Sequence, residues 1–160
     1  MAGSTTKKAV IRRFDRESVA GFVNPNTYLQ PGGVELMTPS GNLVMVPYHE
    51  VKTVSFVRDL ETADPAHERK LFNTRPKTDG LWLRMTLLDG EVMEGVLANN
   101  LLALDAVGFN VVPPDAYSNH QRIFVPRTAL SEVQVLGVVG SALRKRARKP
   151  PAKEQIGLFE

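Results

Sequence analysis

The chain repeats itself. Asp15 is followed by Glu17, Val19, Gly21 and Val23, and Asp89 is followed at the same intervals by Glu91, Met93, Gly95 and Leu97. Further on, Val46-Pro47 leads to Val51, Val54, Phe56 and Val57, just as Val125-Pro126 leads to Leu130, Val133, Val135 and Leu136. The offset between the copies grows only from 74 residues (Asp15 to Asp89) to 79 (Val46 to Val125), the size of one loop insertion. A unit of this length occurring twice in 160 residues restricts the chain to two small modules of similar fold.

The pattern inside each copy is that of strands. Leu81, Leu83, Met85 and Leu87 alternate with Trp82, Arg84 and Thr86, the period of two that buries one face of a strand. Asp89-Gly90 supplies a hairpin turn, and the return strand, 92–98, contains Gly95, where a glycine marks a sharp bend. Strands at 109–112, 121–125 and 133–139 follow. Pro113-Pro114 ends the first of these, and a tight helical turn over 126–131 precedes the last. The first copy gives strands near 9–14, 19–24, 33–38, 43–47 and 51–57, separated by Asn24-Pro25-Asn26, Pro31-Gly32-Gly33 and Pro39-Ser40-Gly41-Asn42. The sequence therefore predicts an all-β chain of two tandem five-stranded open barrels, 7–58 and 81–140. A polar connector, 59–80, joins them, with a short helix over 63–71 begun at Asp64-Pro65. A basic tail, 141–160, is expected to be disordered.

The second copy resembles an Sm-like, SH3-like barrel of the kind found in Sm proteins and bacterial Hfq. The resembling residues are LLDGEVMEGVL, then Asp105 ahead of Gly108-Phe109-Asn110-Val111, then the turn and strand from Val125 to Leu136. The resemblance implies that Asn110 lines an RNA site. It also implies that exposed edge strands pair into rings, three two-barrel chains taking the place of six modules. The interval from Gly95 to Asp105 is longer than the family's, and Arg127-Thr128 stands where its arginine-glycine pair would be. In the first copy Glu35 takes the place of Asn110, and His49 falls where the Hfq-like motif has its histidine, behind Pro47 and Tyr48. SFVRD and GFNVVPPDAYSNHQRIFVPR also resemble an uncharacterised bacterial family of paired small barrels, over about 9–137, a resemblance that implies no known activity.

Charge is placed unevenly. The chain has 20 Lys and Arg against 17 Asp and Glu, but six of those bases and only two of the acids lie in the last twenty residues, leaving 14 against 15 elsewhere. Attraction to a polyanion is therefore expected from Arg144, Lys145, Arg146, Arg148 and Lys149, which can neutralise phosphates without sequence preference. Asn110 and His49 are the candidate nucleic-acid contacts on the barrels. Tyr28, Trp82 and Tyr117 are placed either to stack on bases or to plug the small cores. Asp15, Asp89, Asp105 and Asn110 are of the type that hydrogen-bonds local backbone in turns.

Other chemistry lacks its parts. There is no cysteine, so thiolate nucleophiles, thiolate metal sites and disulfides are excluded. His49, His67 and His120 stand in no metal or nucleophile motif, and His49-Glu50 and His67-Glu68, read as strand neighbours, point to opposite faces. No glycine-rich loop links a strand to a helix for phosphate binding. The expectation is a protein that is not an enzyme and needs no cofactor or metal. No apolar run reaches membrane-spanning length and the first residues lack a signal-like apolar core, so the cytoplasm is the expected location.

Near the C-terminus, Gln155, Ile156, Leu158 and Phe159, spaced by Gly157, resemble the pentapeptide by which bacterial polymerases and repair proteins dock on the sliding clamp. A short apolar plug on a tether can bury Leu158 and Phe159 in a partner's pocket, and Pro150-Pro151 supplies reach. The leading expectation is a non-catalytic nucleic-acid-associated binding protein. The alternatives are an adaptor docked on the sliding clamp and a structural, ring-forming homo-oligomer.

Overall fold

The computed structural model describes residues 6–60, 70–100, 102, 104–114 and 119–140. Among these the alternating runs form eleven strands. They are β1 (Lys7–Arg13), β2 (Val19–Val23), β3 (Leu29–Gln30), β4 (Gly33–Met37), β5 (Leu43–Val46), β6 (Val51–Val57), β7 (Gly80–Leu87), β8 (Val92–Leu97), β9 (Gly108–Val112), β10 (His120–Pro126) and β11 (Leu130–Val139). No α-helix occurs among the described residues, and one 3₁₀ turn precedes the last strand of each half, at Tyr48–Glu50 and Arg127–Ala129. The fold is all-β, antiparallel and open.

The two halves share one strand order. In the first it is β6-β1-β2-β4-β5, and in the second β11-β7-β8-β9-β10. The added strand β3 makes a tight hairpin with β4 across Pro31-Gly32, pairing Leu29 with Val34 and Gln30 with Gly33. Two residues are too few to leave a periodic signal, so alternation in the sequence does not reveal this strand. Glycine sets the bend in the second strand of each half. A Cβ on Gly95 would stand 2.6 Å from Val111 Cγ2, and one on Gly21 would stand 2.3 Å from the Met37 carbonyl oxygen, so the third strand can cross closely only over glycine.

One pairing has no counterpart in the expectations from sequence. β10 of the second half lies antiparallel against β6 of the first, with Phe124 opposite Val54, Ile123 opposite Ser55 and Arg122 opposite Phe56. This pairing merges the two halves into a single eleven-stranded sheet. It also shares their cores. Ile123 packs against the second core and Val125 lies within it, alongside Leu83, Met85, Leu87 and Val111. Side chains alternate along a strand, so Phe124 between them must face the other way. It enters the first core instead, with Ile11, Leu36, Val51 and Val54, while Phe14 of the first half packs against the second core.

The described end of the connector covers the outer face of the second half. Lys70 O accepts a hydrogen bond from Glu94 N, and Phe72 sits edge-on to Trp82 at 6.1 Å. The buried Glu94 carboxylate accepts hydrogen bonds from Phe72 N (3.0 Å), Trp82 Nε1 (3.3 Å) and the Arg84 guanidinium (3.0 and 3.1 Å). Most of the expected helix over 63–71 lies outside the described residues; Lys70 and Leu71 belong to no helix. The tail, 141–160, also lies outside them.

Candidate nucleic-acid interface

The seam between the halves opens into a pocket of about 430 Å³ lined by Lys7, Pro25, Tyr28, Phe56, Asn110, Gln121 and Arg122. The strand pairing explains why these residues meet. Arg122 lies opposite Phe56 across the seam, and Asn110 pairs with Phe124, so it shares the face that Phe124 turns toward the first half. Lys7 enters from the start of β1.

Tyr28 forms the inner wall. Its backbone N–H donates to the Asn24 carbonyl (2.9 Å) in a turn that Asn24 also closes with its side chain, accepting from Asn26 N at 2.9 Å. The ring stands edge-on to Phe56 (5.6 Å, 89°) and to Phe124 (6.0 Å, 84°). Burial, followed by the nearby Asp105 carboxylate, pushes the Tyr28 hydroxyl well above the ordinary phenol range, with Arg122 acting weakly in the opposite sense. The phenol therefore stays neutral at any physiological pH. A smaller pocket of about 190 Å³ lies beside the first, sharing Pro25, Tyr28 and Asn110 and adding Asp105. Asp105 also closes a local turn, Oδ1 accepting from Val107 N at 2.9 Å.

The basic side chains, the ring walls and the amides make a site suited to a planar, anionic ligand. Lysine and arginine offer charge to a phosphate, while Asn110 and Gln121 can donate to or accept from a base edge. Of the candidates named from sequence, Asn110 and Tyr28 line this pocket. His49 does not. It stands on the exposed 3₁₀ turn, its side chain 80% exposed, with Nε2 3.8 Å from Glu50 Oε2. The expectation that His49 and Glu50 point to opposite faces fails, because successive residues on a 3₁₀ turn are separated by about 120° rather than 180°. Among the described residues, no group of three or more His, Asp or Glu could hold a metal ion.

A second cluster locks the seam. Asp89 fills its expected turn role, Oδ1 accepting from Glu91 N at 3.0 Å beside Gly90, whose φ of +92° suits glycine. Its other oxygen meets Lys52 of β6 at 2.6 Å, and Lys52 also reaches Glu91 Oε1 at 2.5 Å. Arg12 (2.9 Å) and Lys70 (3.1 Å) complete the cluster around Glu91. Burial alone would raise the Glu91 pKa, but hydrogen bonds from Lys52, Arg12 and Lys70 and the charge of Arg12 outweigh it and hold the carboxyl at about 2. The Asp89 carboxyl is lowered too: burial is again opposed by the Lys52 hydrogen bond and by the Glu91 N–H. Asn119 clasps the far end, Oδ1 accepting from Arg58 N (3.1 Å) and Asp59 N (2.8 Å) while Nδ2 donates to the Asp59 carbonyl (2.9 Å).

With this geometry in place, the extent of the chain's family becomes informative. A family model described as a family of unknown function (DUF6982) matches residues 5–137. The chain belongs to DUF6982. The DUF6982 match takes in both halves, the seam and its pocket, and ends ahead of the basic tail. No curated protein and no solved structure matches the chain.

Arg144, Lys145, Arg146, Arg148 and Lys149 and the Gln155–Phe159 peptide all lie outside both the DUF6982 match and the described residues. Among the described residues no helix is long and apolar enough to cross a membrane. Sequence reasoning missed Lys7, Phe56, Gln121 and Arg122. The signal available was the mismatch between copies, since Arg122 stands where the first copy has the apolar Leu43.

Proposed function

We propose that this chain is a non-catalytic, nucleic-acid-associated binding protein that holds single-stranded nucleic acid at the seam between its halves. The observation that carries the reading is the convergence of Lys7 and Arg122 with Tyr28, Phe56, Asn110 and Gln121 around one pocket of about 430 Å³. Cations supply affinity for the backbone, aromatic walls accommodate a base, and the amides offer hydrogen bonds to its edge. The resemblance of the second half to Sm-like barrels supports the same reading, because it assigns Asn110 to the RNA site and Asn110 lines the pocket. The basic tail would add sequence-independent attraction to the same polyanion.

The test is fluorescence anisotropy with short single-stranded RNA and DNA across a salt series, on the intact chain, on Lys7→Ala/Arg122→Ala, and on a chain ending at residue 140. The double variant should bind about ten-fold more weakly. The dependence of log K on log salt should flatten by about 0.7 for each phosphate that is no longer neutralised. Absence of binding by the intact chain at low salt would overturn the proposal. So would a double variant with wild-type affinity and slope.

A second reading rests on the sequence of the tail. Gln155, Ile156, Leu158 and Phe159 fill every fixed position of the clamp-docking peptide. A docking peptide beyond a basic spacer would bring the seam pocket to DNA-bound clamps, so the two readings are compatible but separable by mutation.

A further inference from the structure

The pocket at the seam has a neighbour of opposite charge. Among the described residues, the larger pocket is lined by Lys7 and Arg122 and by no acid. The smaller one, about 190 Å³, is lined by Asp105 and by no cation. The two share a wall made of Pro25, Tyr28 and Asn110. The Tyr28 hydroxyl feels both ends, since the charges of Asp105 and Arg122 act on it in opposite senses. A ligand lying along this wall meets cations at one end and a carboxylate at the other.

This combination exists only where the halves meet. Lys7, Pro25 and Tyr28 come from the first half, and Asp105, Asn110 and Arg122 from the second. Gly33 and Gly108 fix the correspondence of the copies here. A Cβ on Gly33 would stand 2.2 Å from the Val46 carbonyl oxygen, and one on Gly108 2.3 Å from that of Val125, the counterpart of Val46. Three residues ahead of these glycines stand Gln30 and Asp105, and two residues beyond them stand Glu35 and Asn110. Acid and amide therefore occur in opposite order in the two copies. Gln30, moreover, is spent inside its own half, its Nε2 donating to the Thr27 carbonyl.

Asp105 has acceptor capacity left for a ligand. A carboxylate offers about four lone-pair sites, and the Val107 N–H, 2.9 Å from Oδ1, takes one of them while holding the side chain in its turn. An acceptor-only group selects a base that presents two adjacent N–H donors, and guanine does so at N1 and its exocyclic amine. Adenine and cytosine place a ring-nitrogen acceptor beside their single amino group. Uracil places a carbonyl on either side of its single N–H. Each of those acceptors faces the carboxylate unpaired, which counts against the wrong base. Guanine O6, next to N1, requires a donor, and the shared wall supplies the Asn110 amide and the Tyr28 hydroxyl, which keeps its proton at any physiological pH. The phosphate is repelled from the Asp105 end and attracted to Lys7 and Arg122.

We infer that the smaller pocket reads a guanine base, Asp105 accepting from N1–H and the exocyclic amine while Lys7 and Arg122 hold the attached phosphate. This preference rests on the nucleic-acid reading of the seam and gives that site a base. Guanine joined to phosphate occurs both within a single strand and in free guanosine monophosphate, so both are used as probes.

Fluorescence anisotropy of the intact chain with short uridine strands carrying one central guanosine, inosine or adenosine tests this. The basic tail contributes equally to every strand. Inosine is guanosine without the exocyclic amine, so it deletes one contact without touching the protein. Wild type should bind the guanosine strand about ten-fold or more tightly than either of the others. Asp105→Asn keeps an oxygen for the Val107 N–H and replaces the other acceptor by a donor. In that variant, at a wild-type melting temperature, the advantage of guanosine over inosine should disappear, because both changes delete the same contact and do not add. Strands that bind wild type alike whatever the central base overturn the guanine inference and leave the nucleic-acid reading standing. A guanosine preference that survives in Asp105→Asn overturns it equally. Guanosine monophosphate bound in calorimetry by wild type and not by Asp105→Asn, with no strand bound, upholds the guanine site and overturns the single-strand reading. Binding of neither probe overturns both.

Discussion

Replacing Glu91 with glutamine should remove a large, pH-dependent part of the stability of the seam. Its carboxyl is held at about 2, against 4.5 for an ordinary glutamate, by Lys52, Arg12 and Lys70. The folded pKa is the lower one, so the carboxylate stabilises the fold fully above the unfolded value and loses that contribution as pH falls from there toward the folded value. At about 1.4 kcal/mol per unit, the shift corresponds to about 3 kcal/mol at pH 7. About 2 kcal/mol of that is gone by pH 3. The side chain is 19% exposed, so solvent screening removes only a modest part. Glu91→Gln keeps the size of the side chain and one acceptor oxygen but gives up the charge, leaving Lys52 with Asp89 alone. The assay is urea unfolding followed by tryptophan fluorescence from pH 7 to pH 3, with wild type and variant in parallel. The other carboxylates, Asp89 among them, contribute to both curves, so the difference between the curves reports Glu91. That difference should be about 2 to 3 kcal/mol at pH 7 and should shrink to about 1 kcal/mol at pH 3. A difference near zero at pH 7, or one that does not change with pH, would refute the reasoning that this cluster clamps the halves together.

Three further outcomes are expected. Phe124→Ala should destabilise the whole chain by about 3–5 kcal/mol in the same unfolding assay, because it empties a site in the first core and removes the ring pairing with Tyr28. Met45→Ala, its counterpart on an exposed edge, should change monomer stability by no more than about 0.5 kcal/mol. Leu158→Ala/Phe159→Ala should abolish capture of the bacterial sliding clamp while leaving single-strand binding unchanged, and clamp captured at wild-type strength would remove the docking reading.

Comparison of the copies in the sequence already locates much of what matters. Asp89-Gly90 and Gly95 are legible because a hairpin turn and a bend each require a particular residue, wherever the rest of the chain lies. The alternation of Leu81 to Leu87 is equally local. Phe124 shows where such reading stops. It sits between Ile123 and Val125 in a strand whose buried face belongs to the second half, and alternation predicts that it points outward. It does, but outward is the interior of the other half. Lys52 is similar: its burial among Asp89, Glu91 and Phe14 depends on a hairpin far along the chain.

The sequence by itself determined the duplicated, all-β architecture, since turn residues and period-two patterning act over a few neighbours and are written twice. Only the tertiary structure decided which edge strand meets which. Backbone edges carry no sequence label, and β6 and β11 have nearly the same pattern of residues. Pairing β10 with β6 buried one of these strands, plugged one core, gathered Lys7, Arg122 and Asn110 around a single pocket and, among the described residues, left β5 and β11 as edge strands. Each of these consequences requires residues distant in the chain to meet, and that is set by which edges find each other rather than by any local preference.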